Sequence, residues 1–199
     1  MKKFLCKSIL IIAGCFSLSI SLNAQNWDVN LLNNINPQNP NSFVWINTTK
    51  SVYPIGAALP FGLLVAGYIK KDKTLQYKGW QAAGTIVINS VITLGMKSAV
   101  NRQRPYEKYN FIHAYDITDN GKSFPSAHTS TAFATATTLS LEFKKWYIVV
   151  PAYTWAAGVA YSRLYLGEHY PTDVIAGAVV GTGSAFLSEW LTKKIFRKK

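Results

Sequence analysis

The sequence predicts an all-α protein, a bundle of helices that crosses a membrane. Charged residues make up only 15% of the 199 residues, against roughly 25% in a typical soluble protein. Six stretches of 15 to 20 residues carry no charge, and this length lies at the lower edge of the ~17–25 residues that a membrane-spanning helix needs. The six stretches are residues 8–27, 51–69, 79–96, 123–141, 146–162 and 174–188.

The positions of the basic residues support the same fold class. With Met1 on the cytoplasmic side, the segments that face the cytoplasm hold 14 of the 21 Lys and Arg residues, and six of the nine Asp and Glu residues lie outside. This alternation is the positive-inside distribution of membrane proteins. It explains the net charge of +12 as loop charge, so no nucleic-acid partner is expected. The alternative is a soluble or peripheral helical protein exported from the cytoplasm, with the same stretches in its buried core.

The composition excludes two other classes of protein. An apolar content of 49% rules out intrinsic disorder. The two cysteines, Cys6 and Cys15, both lie in the N-terminal leader, so a disulfide scaffold is ruled out and no Cys/His cluster remains to build a zinc site.

The first element is the leader, residues 1–24, in which a basic segment precedes an apolar one. Residues 8–22 have the length of a signal-peptide core, and 23–25 offer a cleavage site. The leader is therefore a signal peptide or a first transmembrane helix, which gives the bundle five or six spans. A resemblance to a lipobox at Cys15 leaves lipidation as a third outcome. A cleaved and a retained leader both place residue 25 outside the cytoplasm.

The next elements follow from apolar runs and helix breakers. Residues 25–51 are rich in Asn and predict an external segment with one short amphipathic helix over 27–35. A kinked helix is expected over 52–69, because it contains Pro54 and Pro60. Residues 79–96 form the clearest spanning helix. The polar loop over 98–126 is about twice the usual upper length, which is typical of a functional loop.

Two further helices follow, joined by a turn at 142–145, and the segment 162–172 leads into the last helix. Gly177 and Gly181 of that helix form a G-x-x-x-G pair, which indicates close packing against a neighbouring helix. The predicted division of the chain is a signal peptide or first helix at 1–24, an external segment at 25–51, a helical core at 52–191 and a basic cytoplasmic tail at 192–199.

Three clusters of reactive side chains lie on the outer side of this arrangement, and the last of them is the most telling. His169 and Asp173 are four residues apart, and Pro171 occupies the usual first position of a helix. A carboxylate in that first turn suits the helix dipole. It can also hold the proton on one ring nitrogen of His169 and leave the other nitrogen basic, as a nucleophile requires. The alternative is that Asp173 only caps the helix and His169 is a loop residue.

The other two clusters supply anion-binding groups. Ser126 is a predicted N-cap, and the start of a helix is a ready site for an anion. His128 opposes the dipole in that first turn unless an anion is bound there, although plain capping by Ser126 is the alternative. Arg104 and Arg163 have the planar forks that grip a tetrahedral oxyanion, with Lys97 as a point charge. Together the groups suit phosphoryl transfer without a metal.

These residues fall in three motifs, which are Lys97-x6-Arg104-Pro105, Pro125-Ser-Ala-His128 and Ser162-Arg163-x5-His169-x3-Asp173. They resemble the signature motifs of the type 2 phosphatidic acid phosphatase superfamily, which also includes bacterial acid phosphatases and vanadium haloperoxidases. The resemblance spans about residues 52–191. It implies a helical bundle with the site at one end, and it implies neither a metal nor a cofactor.

The resemblance also implies a role for each motif residue. His169 is the nucleophile that forms a phosphohistidine, Asp173 orients it, and His128 is the general acid and then the general base. The residues implied to bind the phosphate are Lys97, Arg104, Ser126, Arg163 and, through its backbone N–H, Ala127. The family usually has Gly at the position of Ala127, and Ala supplies the same N–H only where its φ is negative. The resemblance assigns nothing to Arg102 or to His113.

The function expected from these observations is a bacterial inner-membrane phosphatase with its site facing the periplasm. Its partner is a lipid phosphate or diphosphate in the bilayer, and no oligomeric state is predicted. Three alternatives stay open. They are a soluble periplasmic acid phosphatase acting on small esters, a vanadate-dependent haloperoxidase, and a non-catalytic membrane protein that keeps the anion site for binding.

Overall fold

The computed structural model describes residues 27–118 and 121–196, which are helical and contain no strand. The leader over 1–24, with Cys6, Cys15 and the predicted signal peptide or first helix, lies outside the described residues. So do the last three residues of the basic tail. The helices are α1 (27–35), α2 (Phe43–Lys50), α3 (Val52–Ile69), α4 (Lys73–Val100), α5 (Pro105–Lys108), α6 (Ala127–Phe143), α7 (Trp146–Tyr165) and α8 (Pro171–Phe196).

The prediction of an all-α bundle is confirmed, and five of its helices, α3, α4, α6, α7 and α8, coincide with the charge-free stretches that follow the leader. The short helix expected over 27–35 is also present. Two helices were not predicted. One is α5, which lies within the long polar loop. The other is α2, which packs against α7 through Trp45, whose ring lies 4.7 Å from that of Tyr161.

The Ser- and Thr-rich helix α6 lies at the centre of the bundle, in contact with α3, α4, α7 and α8. Nine of its residues, all Ala, Ser or Thr, are buried. Small side chains let neighbouring backbones approach closely, and their hydroxyls find partners inside the bundle. Thr138 Oγ1 donates to Thr85 Oγ1 of α4 at 3.2 Å, and Asn89 Nδ2 donates to Ser130 Oγ and Thr131 Oγ1 at 3.3 Å. The sequence of α6 is weakly apolar because it faces helices.

The outer surfaces show the opposite pattern, with large apolar side chains exposed. Phe61 on α3, Val91 on α4 and Val179 on α8 are each about two-thirds exposed or more. By length and composition, three helical segments of the described chain can cross a membrane, namely Phe43–Ile69 (α2 with α3), Lys73–Lys108 (α4 with α5) and Pro171–Phe196 (α8). This is fewer than the five predicted for this part of the chain, so the number of spans stays a prediction.

The two ends of the bundle differ in charge and in loop length. At one end, loops 70–72 and 144–145 turn tightly between antiparallel helices, and α8 ends nearby. This end carries Lys70, Lys71, Lys144, Lys145, Lys193 and Lys194. The opposite end gathers the C-terminal ends of α4 and α7, the N-terminal ends of α6 and α8, and the long segment 101–126. All three motifs meet at this second end.

The glycine pair of α8 faces α6. A Cβ on Gly181 would overlap the carbonyl oxygen of Ser130, and one on Gly177 would lie 2.7 Å from the carbonyl oxygen of Ser126. Backbone atoms cannot yield as a flexible side chain can, so both positions require glycine. The expected role in close helix packing is confirmed, and the contact fixes the start of α6 against the start of α8.

Candidate active site

The site is organised by the turn between α7 and α8. Helix α7 ends at Tyr165, and Gly167 follows with a φ of +70°. A Cβ at this position would overlap the carbonyl oxygen of His113, so glycine is required both by the left-handed backbone and by the close approach. Pro171 then begins α8 as the sequence predicts. The reversal brings Arg163, near the end of α7, towards His169 and Asp173.

His169 and Asp173 form a buried pair in this turn. His169 is 2% exposed, and its Nδ1 lies 3.7 Å from Asp173 Oδ2. The same carboxylate oxygen accepts hydrogen bonds from Ser123 Oγ and, at 3.0 Å, from the Tyr170 backbone N–H. The carboxylate therefore faces the Nδ1 side of the imidazole, which leaves Nε2 on the side away from Asp173.

The environment of His169 favours the neutral imidazole. Its pKa is lowered to about 3, with burial as the largest cause. The Asp173 carboxylate, 3.7 Å away, opposes this shift, whereas the nearby positive charges of Arg163 and Arg104 add to it. Near neutral pH the ring is therefore uncharged, which is the form that can act as a nucleophile.

Two buried arginines lie beside this pair and share one carboxylate. Arg104 Nη1 is 3.0 Å from Glu168 Oε2, and Arg163 Nη2 is 3.7 Å from the same oxygen. Arg104 Nε also donates to the Gly121 carbonyl at 2.8 Å, and Arg163 Nη1 donates to Thr49 Oγ1 of α2 at 2.9 Å. Glu168 thus offsets the repulsion that two adjacent guanidinium groups would otherwise feel.

The start of α6 forms another wall of the site. Ser126 is the N-cap, with its Oγ 3.4 Å from the Thr129 N–H, and its own N–H donates to the Asp173 carbonyl at 3.0 Å. Ala127 is the first residue of α6, and its φ is not positive. Ala127 therefore has the backbone conformation required for its N–H to take the place of the usual glycine N–H. His128 is half-buried, and its ring lies 4.8 Å from that of Tyr53.

Lys97 and Arg102 come from the end of α4. Lys97 lies in the last turn of that helix, and its Nζ donates to the Lys122 carbonyl in the loop that precedes Ser126. Arg102 lies beyond the helix and forms ion pairs with Asp173, at 2.6 Å, and with Asp28, at 2.8 Å. The structure thus gives Arg102 a place beside the His169 partner, although the sequence assigned it no role.

The motif residues lie together as predicted, but the sequence did not predict the residues that contact them. Glu168, Ser123, Asp28 and Arg102 are all buried or partly buried at the site. Glu168 could have been predicted, because two arginines in a low-dielectric site require a counter-charge. Glu168 is the acidic residue next to His169 in the sequence. Among the described residues, no group of three or more His, Cys, Asp or Glu side chains is arranged to hold a metal ion.

A helical bundle with a histidine–carboxylate pair, two arginines and a helix N-terminus at one end has the groups needed to bind and transfer phosphate. The sequence pattern of the PAP2 superfamily matches residues 78–197. The chain belongs to this superfamily, as the three motifs predicted.

Sequence and structure comparisons agree with this assignment. The chain is 33% identical over 105 residues to lipid A 4'-phosphatase of Bacteroides thetaiotaomicron, covering 50% of this chain and 47% of that protein. It is 34% identical over 108 residues to undecaprenyl-diphosphatase of Sulfolobus acidocaldarius, covering 52% of each. The chain thus spans about half the length of these two curated relatives.

Two solved structures share the fold. The crystal structure of Aquifex aeolicus LpxE has a TM-score of 0.65 and 25% identity, and the alignment covers 81% of this chain and 94% of that one. A transmembrane PAP2 type phosphatidylglycerolphosphate phosphatase from Bacillus subtilis has a TM-score of 0.69 and 20% identity, with 94% and 96% covered. The three described helical segments that are long and apolar enough to cross a membrane support a membrane location.

Proposed function

We propose that the protein is a phosphatase that hydrolyses a lipid phosphate or lipid diphosphate without a metal ion. The observation that carries the proposal is the buried His169–Asp173 pair. The charges of Arg104 and Arg163 act on His169, and the Ser126 N–H at the start of α6 donates to the Asp173 carbonyl. The curated relatives named above act on lipid A and undecaprenyl diphosphate, according to their names. Both substrates are phosphates linked to a lipid.

In the first step, His169 Nε2 attacks the phosphorus in line with the ester oxygen. A P–N bond forms as the P–O bond breaks, and His128 donates a proton to the departing oxygen. Asp173 stabilises the positive charge that develops on the imidazole. Arg104, Arg163 and the other anion-binding groups stabilise the charge on the phosphoryl oxygens.

In the second step, His128 accepts a proton from water, and the resulting nucleophile attacks the phosphorus. The P–N bond breaks, inorganic phosphate leaves and His169 returns to its neutral form. The phosphohistidine divides one difficult displacement into two easier ones. The same two histidines serve both steps, with His128 changing from acid to base.

The surface of the bundle favours a lipid substrate over a small soluble ester. Apolar side chains are exposed along α3, α4 and α8, and the site lies at one end of these helices. In a bilayer, that end lies near the interface, where a headgroup enters the site while its tails stay among lipids. The positive-inside rule supports a periplasmic position for the end with the site, because the lysines of the short loops lie at the other end of the bundle.

The proposed domain division keeps a helical core over 52–191, preceded by the external segment 25–51 and followed by a basic cytoplasmic tail over 192–199. Within the external segment, α2 packs against α7, and Thr49 contacts Arg163. The external segment therefore completes the wall of the site in this proposal.

The test is phosphate release by the detergent-purified full chain, with EDTA present, from a panel of lipid phosphates and one small soluble ester. His169→Ala is the blank. His113→Ala is the matched control, since the His113 side chain is exposed on the loop. The proposal expects release from a lipid class by the wild type and by His113→Ala, and none by His169→Ala. Release from the soluble ester alone would move the assignment to an acid phosphatase.

A further inference from the structure

Asp28 of α1 is a buried carboxylate that caps a different helix. It is 1% exposed. Its Oδ1 accepts the Thr172 backbone N–H at 2.9 Å, and its Oδ2 accepts the Thr172 hydroxyl. Thr172 is the second residue of α8. Asp28, which precedes the helical core in the sequence, therefore makes the contact that an N-cap residue usually makes. The negative charge also suits the start of α8.

Asp28 also binds the arginine that holds Asp173. Arg102 directs Nη2 to Asp28 Oδ2 at 2.8 Å and Nη1 to Asp173 Oδ1 at 2.6 Å. Its guanidinium lies 3.7 Å from the centre of the Tyr170 ring. Two buried carboxylates therefore share one cation, and the plane of the guanidinium is fixed by a ring on one side and by both acids at its edge.

The two oxygens of Asp173 have different partners as a result. Oδ1 faces Arg102, and Oδ2 faces His169, Ser123 and the Tyr170 N–H. Arg102 therefore sets the rotation of the carboxylate that orients the imidazole. A continuous series of contacts runs from Asp28 through Arg102 and Asp173 to His169.

Helix α1 is itself held firmly against the site. Val29 and Leu32 pack in a buried cluster with Ile112 and Tyr170. The Asn36 side chain, just beyond the helix, donates to the carbonyls of Tyr165 and His113 and accepts the His113 N–H, all within 2.9 Å. Asp28 therefore has a fixed position relative to the turn that carries His169.

We propose that Asp28 is a positioning residue, which holds Arg102 against Asp173 and through that pair sets the orientation and basicity of His169. Asp28 precedes residues 78–197, which match the superfamily pattern, so α1 contributes to the site from outside the matched region. The role of Asp28 rests on the proposed phosphatase function only in the experiment that measures kcat and KM.

The direction of the effect follows from the local charges. Within the described residues, the charged and titratable groups at this end of the bundle around His169 are Asp173, Arg102, Arg104, Arg163, Glu168 and Tyr170, with Lys97 on α4 and His128 on α6. Replacing Asp28 with Asn removes one negative charge and leaves Arg102 paired with Asp173 alone. The negative field at His169 weakens, so the imidazole becomes less basic and the phosphohistidine less stable.

The experiment compares Asp28→Asn with Asp72→Asn in the full chain. Asp72 caps α4 at the far end of the bundle, accepting the Thr74 and Leu75 N–H groups at 2.8 and 3.2 Å, so both variants lose a capping acid. The proposal expects Asp28→Asn to lower kcat by roughly 3- to 30-fold with KM little changed. Asp72→Asn keeps an oxygen that accepts the same N–H groups, so its thermal stability changes little and its kcat and KM are unchanged.

A second readout does not require turnover. The 15N chemical shifts of the His169 ring report which nitrogen carries the proton, and the proposal expects them to change in Asp28→Asn and to be unchanged in Asp72→Asn. Unchanged shifts and kcat, with only a lower melting temperature, would overturn it. If Asp28→Asn fails to fold, Arg102→Lys, which keeps the charge and loses the two-armed contact, must give the same change. A wild type without phosphatase activity rejects the proposed function, and the shifts still decide the role of Asp28.

Discussion

Glu168 is the carboxylate that two buried arginines, Arg104 and Arg163, share. Its Oε2 lies 3.0 Å from Arg104 and 3.7 Å from Arg163, and its Oε1 accepts the Asp116 N–H at 3.1 Å. Without this carboxylate, two positive charges would be buried close together. The contacts indicate that Glu168 keeps both guanidinium groups in place before the substrate arrives.

Replacing Glu168 with Gln is expected to lower the free energy of unfolding by about 3 kcal/mol, because a buried ion pair loses one partner. Vanadate or phosphate supplies the missing negative charge, so it should raise the melting temperature of this variant more than that of the wild type. Thermal unfolding in detergent, with and without vanadate, measures both effects.

The control for this prediction is Glu189→Gln. Glu189 pairs with Lys193 at 2.6 Å on the surface of α8, and the lysine is exposed. Exposed pairs of this kind contribute little, so neither its stability nor its response to vanadate should change. A melting temperature of Glu168→Gln equal to that of the wild type, with and without vanadate, would contradict the role given to Glu168.

At the scale of the helices, the contact between α6 and α8 positions the anion site. Gly181 lies against the Ser130 carbonyl, and Gly177 lies against the Ser126 carbonyl at the start of α6. The Ser126 N–H also donates to the Asp173 carbonyl. A displacement between these two helices would therefore separate Ser126 and Ala127 from His169.

Gly181→Ala is expected to destabilise the protein by about 1–3 kcal/mol, because the added methyl group meets backbone atoms in a tightly packed contact. Phosphate release should fall as well, since the start of α6 moves. Gly183→Ala is the matched control two residues along the same helix, where an added Cβ meets nothing within 4 Å. Equal melting temperatures for the two variants would show that α6 and α8 do not pack as described.

The long helices and the motif residues were predictable from sequence, whereas α2, α5 and the residues that contact the motifs were not. Charge-free stretches predicted α3, α4, α6, α7 and α8, because a helix that faces lipid or other helices cannot carry unpaired charges. No comparable pattern in the sequence predicts the residues that contact the motifs. Asp28 and Arg102 are 74 residues apart, and neither the spacing nor the periodicity of the sequence predicts that they meet.

At the scale of the whole molecule, the lengths of the helices predict that the site lies near a membrane surface. Helix α4 has 28 residues and spans roughly 42 Å at 1.5 Å per residue, which exceeds the ~30 Å hydrocarbon core of a bilayer. The site at its C-terminal end is therefore expected to lie at the interface. The lysines at the opposite end predict that this second interface faces the cytoplasm.

This orientation is tested with single cysteines in a chain in which Cys6 and Cys15 are replaced by Ser. Gln38→Cys lies two residues after Asn36, which donates to the His113 and Tyr165 carbonyls at the end of the bundle that holds the site. Lys70→Cys lies in the short loop at the other end, and both positions are exposed. A membrane-impermeant maleimide applied to spheroplasts, which expose the periplasmic face of the inner membrane, should label Gln38→Cys. It should label Lys70→Cys only after the membrane is opened. The reverse pattern would contradict a periplasmic site.

The most direct test of the mechanism is whether a phosphoryl group becomes attached to His169 during turnover. The full chain is mixed with a 32P-labelled phosphate ester of a good leaving group in EDTA, quenched with base and analysed by mass spectrometry. The mechanism predicts an acid-labile, base-stable phosphate on His169, more of it in His128→Ala, where hydrolysis of the intermediate is slowed, and none in His169→Ala. Turnover by His169→Ala at the wild-type rate, or a label on another residue, would contradict it.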